Sequence, residues 1–311
     1  MKMTKTIVVC MLFLVLASCG NEQSHQSTDE AERTVNVGGE DFQVPNDPER
    51  IVTDFYAGEL LTVDANVVGA GSIAFDNPFL EEELAGVEDI GEPPNVEKIL
   101  ELDPDLIVAM YDDNIDQLEQ IAPTVHIPYN TATNVEDMTE MFGDIVGAEE
   151  EAQAFLNDYH NRADEAREEI EDLVPTDATF GLYEITNDNE LYVFGENFGR
   201  GGQVLYDALD LDAPDIIEDE VMDEEDVLML SQEVVPEYAA DYMFLTSYDP
   251  ENQHDAKDEL EESSVWQGLD AVQQERYRLN DYDTFYPYDP ISVYHQIDLF
   301  VDMIREMEAE G

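Results

Sequence analysis

Arg200 stands between Gly199 and Gly201 in the run Asn197-Phe198-Gly199-Arg200-Gly201-Gly202, in a chain with 12 basic against 76 acidic side chains. A guanidinium offers a fixed fork of donors that suits bidentate contact with anionic oxygens, and its glycine neighbours leave room for a partner to approach. Phe198 lies two residues earlier, and Tyr192 shares one strand face with Phe194. Further on, Thr284-Phe285-Tyr286-Pro287-Tyr288-Asp289-Pro290 sets three rings between turn formers, a costly arrangement in water unless it closes over something. Tyr56 follows the apolar run from Ile51, and Tyr111 follows Leu106 to Met110, so both fall at C-terminal strand ends, where α/β sheets place ligands. One arginine among aromatics is the chemistry of a cleft that holds a compact solute by ring contact and a few polar donors. The competing arrangement is an arginine paired with one of many surface acids and rings that simply fill the core.

Catalytic and metal chemistry find no such cluster. The five histidines, at 25, 126, 160, 254 and 295, share no ligand spacing, and the only cysteines are Cys10 and Cys19. Neither a Gly-x-Ser-x-Gly elbow nor a glycine-rich phosphate loop with lysine occurs. Acid pairs such as Asp112-Asp113 arise by chance at this acid density and sit in no calcium-loop pattern. The expectation is a binding protein, not an enzyme, with no catalytic residue, no protein-held metal and no intrinsic cofactor.

The formal net charge is −64. A cationic face for phosphate cannot be assembled, so nucleic acid is not a partner, and anionic lipid headgroups are disfavoured likewise. The acids are spread, 32 in 19–150 and 44 in 151–311, so they form no tail. With 43% apolar residues the chain can still fill a core. Such even self-repulsion is tolerable where salt screens it, which points to a halophilic source.

The N-terminus supplies an address. Two lysines precede an apolar run from Ile7 to Ala17, too short to span a bilayer as an anchor. Leu16-Ala17-Ser18-Cys19-Gly20 then looks like the lipobox of bacterial lipoproteins, with Cys19 acylated after cleavage. The expected division is a signal peptide 1–18, a tether 19–33 without apolar periodicity, and a folded part held outside the cell membrane by lipid.

These residues need positioning. Val35 to Val44 reads as a hairpin turning at Gly38-Gly39. Ile51-Val52, Val67 to Ala70, Leu106 to Met110 and Val125 to Ile127 read as buried strands, with helices over Gly58–Val63, Asn95–Leu102 and Asp113–Ile121 between them. Apolar steps of three and four run from Met138 to Leu173, broken at Gly147, and predict a long connecting helix. Beyond it, strands at Phe180–Ile185, Leu191–Phe194, Tyr242–Thr246 and Tyr277–Leu279 alternate with helices at Gly202–Leu209, Ser231–Tyr238 and Ile291–Met307. The fold class is α/β, with lobes 34–135 and 175–311, each around a mostly parallel sheet, joined through 136–174.

In this order the segments Pro48-Glu49-Arg50-Ile51-Val52, Gly58-Glu59-Leu60-Leu61, Asn95-Val96-Glu97 through Asp103-Pro104-Asp105-Leu106-Ile107, Ile121-Ala122-Pro123-Thr124, Asn197 to Gly202 and Trp266-Gln267-Gly268-Leu269 resemble a known family. It is the substrate-binding lipoproteins of ABC importers for iron-siderophores, vitamin B12 and haem, and the likeness covers about 34–308. It is greatest to the Gram-positive iron-siderophore binders. The resemblance implies a class III periplasmic-binding-protein fold and a ferric siderophore as cargo, carried as a chelate. Arg200, Phe198, Tyr286, Tyr111, Tyr56 and Tyr192 would face that chelate. Glu97 and Glu233, each expected in the first turn of a helix, would dock on permease subunits. A monomer is expected. With Lys98 and Arg200 the only cations in view, hydroxamate or mixed citrate-hydroxamate ligands are favoured over triscatecholates. Cobalamin or haem on the same architecture, or an enzyme that borrowed the fold, are the alternatives.

Overall fold

The computed structural model describes residues 32–250 and 255–310. The signal peptide, Cys19 and most of the tether lie outside the described residues.

A hairpin of β1 (Glu32–Val37) and β2 (Glu40–Pro45) opens the fold. Its turn needs positive φ at two residues, supplied by Gly38 and Gly39. The first lobe is a sheet in the order β5-β4-β3-β6-β7, all parallel, built from β3 (Ile51–Thr53), β4 (Val67–Ala70), β5 (Glu88–Asp89), β6 (Leu106–Ala109) and β7 (Thr124–His126). β3 and β6 are buried at every residue, as strands covered on both faces must be. Helices Ala57–Thr62 and Val96–Glu101 connect them. The latter is capped by Asn95, whose side-chain oxygen accepts from the amides of Glu97 and Lys98.

The expected connector 136–174 is two helices. Val135–Val146 ends at Gly147 in the left-handed conformation, and Glu149–Ile170 follows. Phe142, Ile145, Val146 and Ala152 pack in the first-lobe core, whereas Leu156, Tyr159, Ala163, Ala166 and Ile170 pack in the second. Val135, at the start of the first helix, already packs in the second-lobe core, so both helices span from one lobe to the other.

The second lobe has the order β10-β9-β8-β11-β12, from β8 (Phe180–Thr186), β9 (Leu191–Phe194), β10 (Val227–Leu230), β11 (Tyr242–Tyr248) and β12 (Tyr277–Asn280). β8, β11 and β12 are parallel, while β9 and β10 run antiparallel at one edge. The C-terminal helix Pro290–Glu310 lays Val293, Ile297, Phe300, Val301, Ile304 and Met307 into the core, at the three- and four-residue spacing of a buried helical stripe. The helix expected over Ser231–Tyr238 is corrected to a turn and one 3-10 turn, Val235–Glu237. Pro236 lacks the amide an α-helix would need there. Gly202–Leu209 is realised as a π-helix over Gln203–Ala208. The two-residue β5 and the helix Asp255–Glu262 carry too little apolar pattern to be read from sequence, and β10, a continuous apolar run of four residues, has no periodicity that tells a strand from a helix.

Candidate functional site

Both sheets turn the C-terminal ends of their parallel strands toward one cleft. Three adjacent first-lobe strands each release an aromatic there: Phe55 after β3, Tyr111 after β6 and Tyr129 after β7. The Phe55 ring lies 6.4 Å from Tyr111 and 6.5 Å from Tyr288 of the other lobe. Tyr129 lies 5.8 Å from Phe198 and 6.4 Å from Tyr288. Rings from both lobes thus line one cleft at contact separations. Burial raises the hydroxyl pKa of Tyr111, Tyr129 and Tyr288, so all three stay neutral at physiological pH and offer hydroxyls rather than charge.

Two buried aspartates hold the ring-bearing loops. Asp54 accepts from the amides of Met110 (2.7 Å) and Tyr111 (3.2 Å), joining the ends of β3 and β6. Asp226 accepts from the amides of Glu196 (2.9 Å) and Asn197 (3.1 Å), fixing the segment that leads to Phe198 and Arg200. Burial raises the pKa of Asp54, and its backbone hydrogen bonds oppose the rise.

Arg200 occupies the middle of three consecutive positive-φ residues, Gly199 (72°), Arg200 (59°) and Gly201 (92°). A β-carbon on Gly199 would lie 2.3 Å from the Tyr286 carbonyl oxygen, and one on Gly201 would lie 2.2 Å from the Phe300 ring. Only glycine fits on either side, for conformation and for space. The arginine has no unencumbered fork: Nε donates to Glu184 Oε2 at 2.9 Å and Nη1 to the Phe198 carbonyl at 2.8 Å. Nη2 makes no hydrogen bond among the described residues and can serve a ligand oxygen. Its guanidinium carbon sits 4.5 Å from the Phe194 ring centre, 4.9 Å from Tyr286 and 5.7 Å from Tyr282, an aromatic frame that keeps the charge at the cleft wall.

The cleft opens into a cavity of about 1110 Å³ whose walls include Phe55, Tyr248, Tyr282, Tyr286 and Tyr288. Beneath it Asn77 donates to Asp289 at 3.0 Å and to Ser292 at 2.8 Å, tying the first lobe to the start of the C-terminal helix. Glu59, 3% exposed, lines the same wall. Burial, then the charge of Asp289, pushes its pKa up to about 8.

Of the expected residues Tyr286 lines the cavity; Arg200 packs on its ring, while Phe198 and Tyr111 join the ring network through Tyr129, Tyr288 and Phe55 without lining the cavity themselves. Tyr192 extends the Phe194 side at 6.4 Å and gives its hydroxyl to Glu190. Tyr56 is placed in the first-lobe core at 8% exposure, its hydroxyl donated to the Ile127 carbonyl at 2.8 Å. Its neighbour Phe55 is the ring at the cavity. Lys98 donates to the Asp89 carbonyl and is no part of the cavity wall, where Lys257 stands instead. Tyr129 was legible by the strand-end rule that found Tyr111; Phe194, Tyr248 and Tyr282 gave no separate signal. Glu97 is exposed in the first turn of its helix, whereas Glu233 is exposed in a turn. Among the described residues no group of three metal-ligating side chains exists, and no helix is long and apolar enough to cross a membrane. His126, His160 and His295 are absent from the cavity wall.

Two α/β lobes around an aromatic cleft define a solute-binding protein. The chain belongs to the Periplasmic binding protein family, whose match spans residues 51–281. It is 51% identical over 310 residues to the iron(3+)-hydroxamate-binding protein YxeB of Bacillus subtilis, covering 98% of this chain and 97% of that one. Among solved structures it is similar to a FhuD fold-family protein of B. subtilis, described as the periplasmic binding protein component of a Fep/Fec-like ferrichrome ABC transporter. That likeness has 33% identity, covers 84% and 96% of the two chains, and gives a TM-score of 0.77. It is also similar to FhuD2 of Staphylococcus aureus with bound ferrioxamine B, at 29% identity, 84% and 100% coverage and TM-score 0.74. Family and relatives are binding proteins, and this chain is one, not an enzyme.

Proposed function

We propose that the protein is an extracytoplasmic receptor that binds a ferric siderophore of the hydroxamate or mixed citrate-hydroxamate type and delivers it to the permease of an ABC importer. The carrying observation is Arg200, a cation framed by rings beside a cavity walled by tyrosines and carboxylates. Three monoanionic hydroxamates cancel the charge of ferric iron, so such a chelate needs one positive donor and broad ring contact. A triscatecholate would carry several uncompensated charges into an acidic cleft and be repelled. The similarity to hydroxamate-binding relatives supports the same choice.

Arg200, Phe198, Tyr286 and Tyr111 contact the chelate in this reading, with Phe55, Tyr129 and Tyr288 across from them and Tyr192 at the margin. Cys19 carries the lipid that holds the monomer at the outer face of the membrane. This gives a leader 1–18, a tether 19–33 and lobes 34–135 and 175–311 about the segment 136–174. Glu97 and Glu233, both exposed, engage the permease, one from each lobe.

Calorimetric titration with ferric trihydroxamate, citrate-hydroxamate and triscatecholate chelates is the test, since Trp266, 1% exposed and packed on Tyr183 and Tyr277, is not on the cavity wall where an optical reporter would be needed. Tight one-to-one binding of the trihydroxamate is expected, and preference for the triscatecholate would overturn the reading. In cells, Glu97→Lys with Glu233→Lys should stop uptake while calorimetric affinity persists.

A further inference from the structure

Gln296 is fully buried on the inner face of the C-terminal helix, where the neighbouring core positions are apolar. Its Nε2 donates to two main-chain carbonyls, those of Thr284 and Pro287, each at 2.9 Å, while its Oε1 has no partner. The two acceptors fix the amide's orientation, because its oxygen in that place would repel both. An unpaired buried oxygen costs stability, so the bonds made by the nitrogen call for a reason. They straddle Tyr286. That ring lines the cavity, stacks on Tyr282 at 4.9 Å and lies 4.9 Å from the Arg200 guanidinium carbon. The Tyr286 carbonyl closes on Gly199, where a β-carbon would lie 2.3 Å away, and the other end of the arginine turn closes on Phe300, 2.2 Å from a β-carbon at Gly201. Ser292, Gln296 and Phe300 are four residues apart and share one stripe of the helix, and Ser292 accepts from Asn77 of the first lobe at 2.8 Å. One helix face therefore meets the first lobe, the tyrosine loop and the arginine turn. Thr284 and Pro287 are only half-buried, so without Gln296 their carbonyls can turn to water and take the loop with them.

We propose that Gln296 is a positioning residue for ligand binding: it touches no ligand itself but holds Tyr286 against the Arg200 guanidinium, so that ring and cation meet the chelate in one fixed geometry. Binding is tighter when the contacting groups are ordered beforehand, and this amide supplies that order from behind the cavity wall. An aliphatic side chain would fill the same space and release the loop. This rests on the reading of Arg200 and Tyr286 as ligand contacts and adds to it the residue that fixes their relation.

The test is a mutant cycle read by calorimetry with a ferric trihydroxamate: parent, Gln296→Met, Tyr286→Ala, Tyr111→Ala, and Gln296→Met combined with each alanine. Gln296→Met should bind about ten-fold more weakly, the scale of one neutral hydrogen bond, with circular dichroism verifying the fold. In the Tyr286→Ala background the same substitution should cost less than about two-fold, because no ring remains to be misplaced, whereas in the Tyr111→Ala background, on the other lobe, the loss should persist in full. Gln296→Glu, nearly identical in shape, keeps at most one donated hydrogen; it should weaken binding likewise and carries the same cycle if the methionine variant does not fold. Unchanged affinity in the Gln296 variants, or a loss as large without the Tyr286 ring as with it, would show that Gln296 only packs the core, and overturns the inference while leaving the hydroxamate reading intact. Failure of the parent itself to bind the chelate overturns both, a separate result.

Discussion

Replacing Arg200 by alanine should cost the protein both ligand and stability, for two distinguishable reasons. The side chains of Arg200 and Glu184 are 11% and 6% exposed and 2.9 Å apart. Deleting the guanidinium strands a carboxylate with almost no access to water, and breaking a buried pair by removing one partner costs about 3–5 kcal/mol. At about 2–4 °C per kcal/mol for a chain of this size, the melting temperature should fall by roughly 6–20 °C. Affinity for a ferric trihydroxamate should fall about ten- to a hundred-fold, the range for a lost hydrogen bond to a charged group. Removing both charges in Arg200→Met with Glu184→Met leaves no stranded carboxylate, so most of the stability should return. The affinity should not, because no donor faces the chelate. Paired thermal melts and calorimetric titrations of the parent, single and double variants in one buffer check this. A single variant that melts with the parent would show that Glu184 is not stranded. A double variant that regained affinity would remove Arg200 from the ligand's contacts.

Two further outcomes follow from the charge distribution. Glu59 has its pKa raised from 4.5 to about 8. The folded state therefore holds a proton that the unfolded chain releases, and stability contributed by this group falls as pH rises from about 4.5 to about 8. Glu59→Gln should remove that slope and gain a few kcal/mol above about pH 8, since every tenfold difference in proton affinity between the folded and unfolded chain is worth about 1.4 kcal/mol; equal pH slopes in urea denaturation of parent and variant would refute it. With a net charge of −64, the melting temperature should climb steeply from dilute buffer to molar salt; a melting temperature independent of salt would refute the halophilic reading.

What the sequence determined was whatever follows from local pattern. The hairpin turn at Gly38-Gly39, the buried strands β3 and β6, the break at Gly147 and the C-terminal helix were legible because glycine conformation, burial on two faces and helical periodicity leave marks over a few residues. The same strand-end logic reached Tyr111, and composition alone made Arg200 conspicuous. Elements with no period to read escaped: the two-residue β5, the edge strand β10, whose four apolar residues in a row fit a strand or a helix segment equally, and the turn at Ser231, where Pro236 outweighs helical spacing. Tertiary structure alone decided which of two adjacent aromatics faces the cleft. Phe55 and Tyr56 are equally plausible in one dimension, but the Tyr56 hydroxyl finds the Ile127 carbonyl and is drawn inward, leaving Phe55 at the cavity. It also decided that Arg200 is held by Glu184, sixteen residues away on β8, and that Asp76 lines the same cavity as Asp281 and Asp283. These relations join segments apart in the chain, the first two by packing within one lobe and the last across the cleft between lobes, and no spacing within either segment encodes them.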